Sequence, residues 1–217
     1  MIKYKGTFYF CDMDKPIIIG ICGGSGSGKT SFVRRLKEDF DSNDLCVISQ
    51  DDYYKPREEQ FVDENGIQNF DLLTAIDHEQ FESDVRKILA KKSISKKEYT
   101  FNNELAEAKM ITTKPADIII VEGLFVFHLE GIRDLMDLRI FIHTSDEDKL
   151  SRRIKRDAIE RNYPLEDVTY RYEHHVLPSY KSYIEPYKSD AHIVVNNNEN
   201  FDMGYALLQS FIKEKLK

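Results

Sequence analysis

Ile17–Cys22, with the sequence IIIGIC, runs directly into Gly23–Thr30, GGSGSGKT. The first stretch is apolar throughout, as in a strand that is buried on both faces of a parallel sheet. The second fits the pattern G-x-x-x-x-G-K-S/T, whose glycines let successive backbone N–H groups point at phosphate oxygens. An amphipathic helix follows, and its first turn adds a positive dipole end. A strand, a glycine-rich loop and a helix in this order predict a nucleotide-binding P-loop rather than an ordinary turn.

The motif also assigns a partner to its polar residues. Lys29 is expected to reach the β- and γ-phosphates of ATP or GTP, and the Thr30 hydroxyl is expected to ligate Mg²⁺. The residues predicted to contact the nucleotide are Gly23, Gly24, Ser25, Gly26, Ser27, Gly28, Lys29 and Thr30.

Apolar runs of strand length alternate with longer amphipathic stretches along the rest of the chain. The predicted strands are residues 17–22, 45–49, 118–121, 138–142 and 193–195, and the predicted helices start near residue 28 and cover 77–91, 146–161, 165–185 and 201–216. The last helix has Ala206, Leu207, Phe211 and Ile212 as its apolar residues. Residues 93–113 fit a small hairpin. This alternation predicts an α/β fold of the P-loop NTPase type, with a parallel sheet and helices on both faces, as one domain over residues 1–217.

Composition limits the classes of protein and partner. The chain has 41% hydrophobic and 32% charged residues, a globular balance, and 217 residues suit one domain. Its net charge of −7 gives no basic surface for nucleic acid, so the expected partner is a small molecule. Three irregularly spaced cysteines predict reduced thiols, and no apolar run is long enough to span a membrane, so we expect a cytoplasmic protein. A homo-oligomer is compatible with the sequence.

Acidic residues follow two of the predicted strands. Glu122 comes directly after residues 118–121, and Asp51 and Asp52 come just after residues 45–49. Because α/β sheets bind ligands at the carboxyl ends of their strands, these carboxylates are expected beside the P-loop. There, Glu122 is predicted to hold Mg²⁺ or its water, and a carboxylate of the aspartate pair to accept a hydroxyl proton. The alternative is that these acids cap a helix or favour a turn.

A basic stripe lies on the predicted helix 146–161. Its members are Lys149, Arg152, Arg153 and Arg156. Their spacing of i, i+3, i+4 and i+7 puts them on one helix face. A row of like charges repels itself unless an anion faces it, which favours a lid, about residues 146–164, that covers the phosphates and includes Arg161. The alternative is a solvated helix whose acidic beginning and basic continuation complement its dipole.

Two other classes of nucleotide-binding protein compete with a kinase. A GTPase switch is disfavoured because no Asn-Lys-x-Asp sequence follows the later strands. A regulatory module would bind nucleotide without transferring phosphate. The combination of Lys29, Thr30, Asp51 and Glu122 favours transfer of a phosphoryl group to a small hydroxyl-bearing acceptor.

These motifs together resemble the uridine kinase and phosphoribulokinase family of P-loop kinases, and within it the uridine–cytidine kinases most. Besides the P-loop, the resemblance rests on SQDDYY at 49–54, NFD at 69–71, VEG at 121–123 and the lid sequence from 150 to 161. It implies transfer of phosphate to the 5′-hydroxyl of uridine or cytidine. In that reaction Asp51 would be the general base, and Asp71 would bind the ribose 2′- and 3′-hydroxyls.

The resemblance implies further roles for individual residues. The residues implied in catalysis are Asp51, Lys29, Arg152 and Arg156. The lid arginines implied in nucleotide binding are Arg153 and Arg161. The residues implied at the acceptor are Asp71, Tyr54, Phe70, Tyr99, Arg152 and Arg171. The residues implied to hold Mg²⁺ are Thr30, Glu122 and Asp51.

The hairpin departs from the family's pattern where the base is read. Glu104 stands where uridine kinases have histidine, and Ala106 stands where they have arginine. In addition, residues 49–56 and 63–66 resemble the corresponding stretches of nicotinamide riboside kinases. In that reading the same aromatic residues flank the base, and Asp71 stays on the ribose. The acceptor is therefore left open between uridine or cytidine and nicotinamide riboside.

Overall fold

A parallel sheet runs through the residues that the computed structural model describes, which are 15–100, 108–160 and 163–217. The strands are β1 (Ile17–Cys22), β2 (Leu45–Ser49), β3 (Ile94–Lys97), β4 (Met110–Thr113), β5 (Ile118–Gly123), β6 (Leu138–His143) and β7 (Ile193–Asn196). Five of them form the sheet in the order β2-β5-β1-β6-β7, all parallel. The predicted α/β fold is confirmed, and β1 lies at the centre of its sheet.

Helices cover both faces of the sheet. They are α1 (Lys29–Asp39), α2 (His78–Leu89), α3 (Glu130–Arg133), α4 (Asp146–Glu160), α5 (Leu165–Arg171), α6 (Leu177–Tyr183) and α7 (Asp202–Lys215). Successive residues of β1 point to opposite faces, so Ile19 packs with α1 and α7 while Ile18 packs with α2. Since both faces are buried, the strands need apolar residues at nearly every position, which is why they read as continuous apolar runs.

Strands β3 and β4 form the predicted hairpin outside the main sheet. They pair antiparallel, with Ile94 opposite Thr113 and Lys97 opposite Met110. The tip, which contains Glu104 and Ala106, lies outside the described residues.

The prediction of one continuous helix over residues 165–185 is wrong. The stretch is divided into α5, a π-helical turn over Tyr172–Val176, and α6. Pro178, in the first turn of α6, has no N–H to donate to the preceding turn. In a continuous α-helix its ring would also clash with the backbone carbonyl four residues earlier. Interruptions of the hydrogen-bond ladder of this kind are a common site of π turns and kinks.

The apolar face of α7 also differs from the sequence prediction. Tyr205, Leu208 and Ile212 are buried, whereas Leu207 is 65% exposed. Tyr205 extends the buried face because its ring packs edge-on against Phe32 of α1 and its hydroxyl donates to Asp39 Oδ2 at 2.5 Å. Among the described helices, none has the length and apolar character needed to cross a membrane.

Candidate active site

The P-loop connects β1 to α1 at the carboxyl edge of the sheet. Gly26 and Gly28 have φ angles of +81° and +97°, which L side chains rarely adopt. Their outer sides are in close contact with the rest of the protein. A Cβ atom on Gly28 would lie 2.2 Å from Asn197 Nδ2, and one on Gly26 would lie 2.5 Å from the Lys149 carbonyl oxygen. The loop is therefore a tight backbone cradle of the kind that fits nucleotide phosphates.

Two side chains fix the position of the loop from behind. Asn197 Nδ2 donates to the Ser27 carbonyl oxygen at 2.8 Å, and Thr144 Oγ1 donates to the same oxygen at 3.1 Å. Both residues follow a strand of the sheet, Thr144 after β6 and Asn197 after β7. Neither was singled out from the sequence, although the rule that ligands bind beyond strand ends points to both positions.

Glu122 and Ser49 meet because their strands are in register. The two residues are paired between β5 and β2, and Ser49 Oγ donates to Glu122 Oε1. Ser49 Oγ also accepts from the Asp51 N–H at 3.3 Å, so the start of the next turn is tied to the same hydroxyl. Burial and the negative charge of Asp51 raise the pKa of Glu122 to about 7, against the opposing charge of Lys29.

This group of side chains fits a magnesium ion. Mg²⁺ is usually held by one or two carboxylates together with substrate phosphates rather than by a full protein cage. The described residues contain no group of three or more His, Cys, Asp and Glu side chains that could hold a metal ion. Thr30 is exposed at the start of α1, and a cation near Glu122 would relieve its repulsion from Asp51.

Asp51 and Asp52 have different surroundings, although their spacing alone did not tell which of them is the base. Burial raises the pKa of Asp52, while Lys96 and the Tyr99 N–H lower it. Lys96 also lies over the Tyr53 ring, 3.1 Å from its centroid. Asp52 therefore anchors the β3–β4 hairpin, and Asp51 is the aspartate whose charge acts on Glu122.

The predicted acceptor residues include three aromatic rings that lie together. Tyr54 is 5.2 Å from Tyr99 and 6.3 Å from Phe70, measured between ring centroids. Tyr54 comes three residues after Asp51, and Phe70 directly precedes Asp71. The structure thus joins the hairpin, the segment after β2 and the Asn69–Asp71 motif around one aromatic cluster.

Arg153, in α4, connects this region to the P-loop. Its Nη1 donates to Ser25 Oγ at 3.0 Å and lies 3.6 Å from Asp71 Oδ1. Its Nε lies 3.2 Å from Asp157 Oδ2, and all of these charged side chains are buried. Arg156 Nε donates to the same carboxylate, at Oδ1, at 2.9 Å. Asp157 thus orients two arginines of α4, the helix predicted to be a lid.

The other basic residues reach different parts of the site. Arg152 donates to the carbonyl oxygens of Asn197 and Asn198 at 2.8 and 3.1 Å, so its guanidinium lies at the loop after β7. Its predicted contacts with the acceptor and its predicted role in catalysis stay predictions. A shared helix face does not determine which neighbour a long side chain contacts. Lys149 lies 2.7 Å from Asp146 and packs on a tyrosine ring beside the P-loop. Arg161 lies outside the described residues.

A nucleotide cradle, carboxylates beside it and a basic helix packed against the loop define this protein as a P-loop kinase. Residues 18–203 match the Phosphoribulokinase / Uridine kinase family. The chain belongs to that family, and the resemblance inferred from its motifs is confirmed.

Several known proteins are similar to the chain over most of its length. It is 37% identical to a uridine kinase of Leuconostoc citreum over 94% of this chain and 98% of that one. It is 33% identical to a uridine kinase of Ligilactobacillus salivarius over 94% of this chain and 96% of that one. Among solved structures, a possible uridine kinase from Bacillus stearothermophilus superposes with a TM-score of 0.54 at 19% identity, covering 83% of this chain and 88% of that one. D-glycerate 3-kinase from Cryptococcus neoformans superposes with a TM-score of 0.55 at 16% identity, covering 79% of each. The structural similarities support the fold.

Proposed function

We propose that this kinase transfers the γ-phosphate of ATP or GTP to the 5′-hydroxyl of uridine or cytidine and forms UMP or CMP. The observation that carries the proposal is that Asp51, whose negative charge acts on Glu122, comes three residues before Tyr54, whose ring contacts those of Phe70 and Tyr99. The similarity to uridine kinases at 33–37% identity supports the choice of acceptor.

The donor side of the reaction rests on the P-loop. Lys29 and the backbone N–H groups from Gly23 to Thr30 would hold the phosphates and oppose their charge. Mg²⁺, held by Thr30 and Glu122 with Asp51 close by, would neutralise charge that develops on the transferred phosphoryl group. Arg153 and Arg156, oriented by Asp157, would add positive charge on the lid side.

The acceptor side rests on the aromatic cluster and two aspartates. The rings of Tyr54, Phe70 and Tyr99 offer apolar faces for a flat base. Asp71 would accept hydrogen bonds from the two ribose hydroxyls, and Asp51 would accept the proton of the 5′-hydroxyl as that oxygen attacks. Closure of the lid would exclude water, which competes with the nucleoside for the phosphoryl group.

Nicotinamide riboside is the second candidate acceptor. The aromatic cluster does not distinguish it from uridine or cytidine, because ring faces read the shape of a base and not its hydrogen-bonding edge. The ribose would keep the same partner, Asp71. The two acceptors differ in the base, whose predicted reading position, Glu104, departs from the uridine kinase pattern.

An acceptor screen tests the proposal. The full chain would be incubated with Mg·ATP or Mg·GTP and with uridine, cytidine, nicotinamide riboside and purine nucleosides, and both nucleoside diphosphate and phosphorylated acceptor would be measured. We expect turnover with uridine or cytidine. Turnover with nicotinamide riboside alone would establish the second candidate, and absence of transfer to every nucleoside would contradict both. The Lys29→Ala variant controls for contaminating kinases.

A further inference from the structure

A second small hairpin, distinct from β3–β4, directly precedes two of the predicted acceptor residues, Phe70 and Asp71. In this acceptor hairpin, residues 61–69, Val62 pairs with Gln68, and the Asn69 N–H donates to the Phe61 carbonyl oxygen at 2.8 Å. The chain then runs directly into Phe70 and Asp71. The position of these two residues therefore depends on how the acceptor hairpin is held.

The Asp63 carboxylate hydrogen-bonds both to the turn of the acceptor hairpin and to side chains of another segment. Asp63 Oδ1 accepts from the N–H groups of Asn65 and Ile67 at 2.9 and 2.8 Å, which fixes the turn. Asp63 Oδ2 accepts from His175 Nε2 at 2.7 Å and from the Tyr170 hydroxyl at 2.9 Å. Although burial acts in the opposite direction, these hydrogen bonds lower the pKa of Asp63 well below its ordinary value.

The partners of Asp63 come from α5 and the π turn that follows it. Tyr170 also accepts from Asn65 Nδ2 at 2.7 Å, and Arg171 Nη1 donates to the Gln68 carbonyl oxygen at 2.8 Å. His175 is only 3% exposed, which makes this a built contact rather than a surface one. Tyr170 and His175 are five residues apart, so a regular α-helix would turn them about 140° away from each other. The π turn brings both onto the same carboxylate.

We propose that Asp63, Tyr170 and His175 form a positioning clasp that holds the acceptor hairpin in the conformation that binds the nucleoside. These residues act through Phe70 and Asp71 and are not expected to touch the reacting atoms. The inference rests on the proposed function, because it assigns the nucleoside to Phe70 and Asp71. The proposal also changes the role of Arg171, which was predicted to contact the acceptor directly. Its guanidinium instead holds the acceptor hairpin from α5, through the Gln68 carbonyl oxygen.

The clasp should affect acceptor binding more than phosphoryl transfer. Asp51 and Glu122 follow β2 and end β5, and the P-loop follows β1, so their positions are set by the sheet. Among the described residues, the side-chain hydrogen bonds that join the acceptor hairpin to a helix come from α5 and the π turn. Loosening the acceptor hairpin would leave the transfer machinery in place and would lower the fraction of molecules whose acceptor site is ready to bind.

The test compares His175→Leu with His175→Gln. Leucine removes the donor to Asp63, whereas glutamine keeps a side-chain N–H. We expect His175→Leu to raise the KM for the nucleoside about tenfold, the loss expected for one hydrogen bond to a charged group, with kcat and the KM for ATP changed less than about twofold. His175→Gln should restore most of the affinity. Tyr170→Phe, which removes only a hydroxyl, should raise the same KM about threefold.

Glu64→Gln is the matched control, since it removes one negative charge from the same hairpin at an exposed position outside the clasp. It should leave every constant unchanged. Hydrogen exchange of the Ile67, Asn69 and Asp71 amides gives a second readout that needs no acceptor, and we expect faster exchange in His175→Leu and Tyr170→Phe. Unchanged exchange, or an unchanged nucleoside KM beside an active wild type, would overturn the clasp. If the wild type phosphorylates no nucleoside, the proposed function fails, and the exchange rates still decide the clasp.

Discussion

Replacing Gly28 by alanine tests how the P-loop is supported from behind. Two contributions to the loss of stability are expected. A left-handed conformation costs an L residue about 1–2 kcal/mol. The new Cβ would also lie 2.2 Å from Asn197 Nδ2, so the buried amide must move and give up its hydrogen bond to the Ser27 carbonyl, which costs about 1 kcal/mol. The sum is about 2–3 kcal/mol. In a chain of this length each kcal/mol lowers Tm by about 2–4 °C, so Tm should fall by about 4–12 °C.

The chain has a control that separates the two contributions. Gly66 has a φ of +77°, and a Cβ atom there would meet nothing within 4 Å. Gly66→Ala should therefore show only the conformational contribution, about 1–2 kcal/mol. Thermal unfolding of both variants, with and without ADP, measures the difference, and Gly28→Ala should also show a smaller ADP-induced rise in Tm. Equal Tm values for the two variants would refute the reasoning about Asn197.

Three further outcomes are expected. Asp51→Asn should lower kcat by about 10²–10⁴-fold with nearly unchanged ATP affinity, as for loss of a general base, and a fully active variant would exclude that role. Asp71→Ala should raise the nucleoside KM about 10–100-fold and the ATP KM far less, and equal effects on both would contradict the ribose contact. Burial lowers the pKa of His78, whose Nε2 lies 2.7 Å from the Leu73 carbonyl, so the unfolded chain takes up this proton first as pH falls. The contribution of His78 should be fully present above about pH 6.5 and be lost as the pH falls toward its lower folded-state pKa. The Tm difference between wild type and His78→Gln separates it from Glu122, whose raised pKa acts in the opposite direction, and a difference that is flat between about pH 5 and 7 would disagree.

The sequence was sufficient for those parts of the fold that rest on local signals. Strand β1 and residues 118–121 of β5 are short, wholly apolar runs because both faces of the sheet are covered, and this pattern is visible without tertiary information. The placement of Glu122 beside the P-loop follows from topology, since all strands of the sheet end at the same edge. The hairpin of β3 and β4 was also recognised from short runs of apolar residues.

Contacts between distant segments could not be predicted in this way. Asp63 and His175 are 112 residues apart, and no periodicity connects them. The direction of Arg152 depends on which carbonyl oxygens lie within reach of a flexible side chain, and helix spacing contains no information about that. In α7, the choice between Leu207 and Leu208 is a rotation of one residue, and it is decided by the packing of Tyr205 on α1.

The close approach of α4 to Gly26 has a consequence for mutational tolerance. Position 26 is one of the four unrestricted positions in the general motif G-x-x-x-x-G-K-S/T, so phosphate binding alone does not require glycine there. In this chain a side chain is excluded by the backbone of Lys149 and by a φ of +81°. The demand for glycine therefore comes from the helix above the loop as well as from the backbone conformation of the loop itself. Among related sequences, a larger residue at this position would mark a protein in which both the loop conformation and the distance to this helix differ.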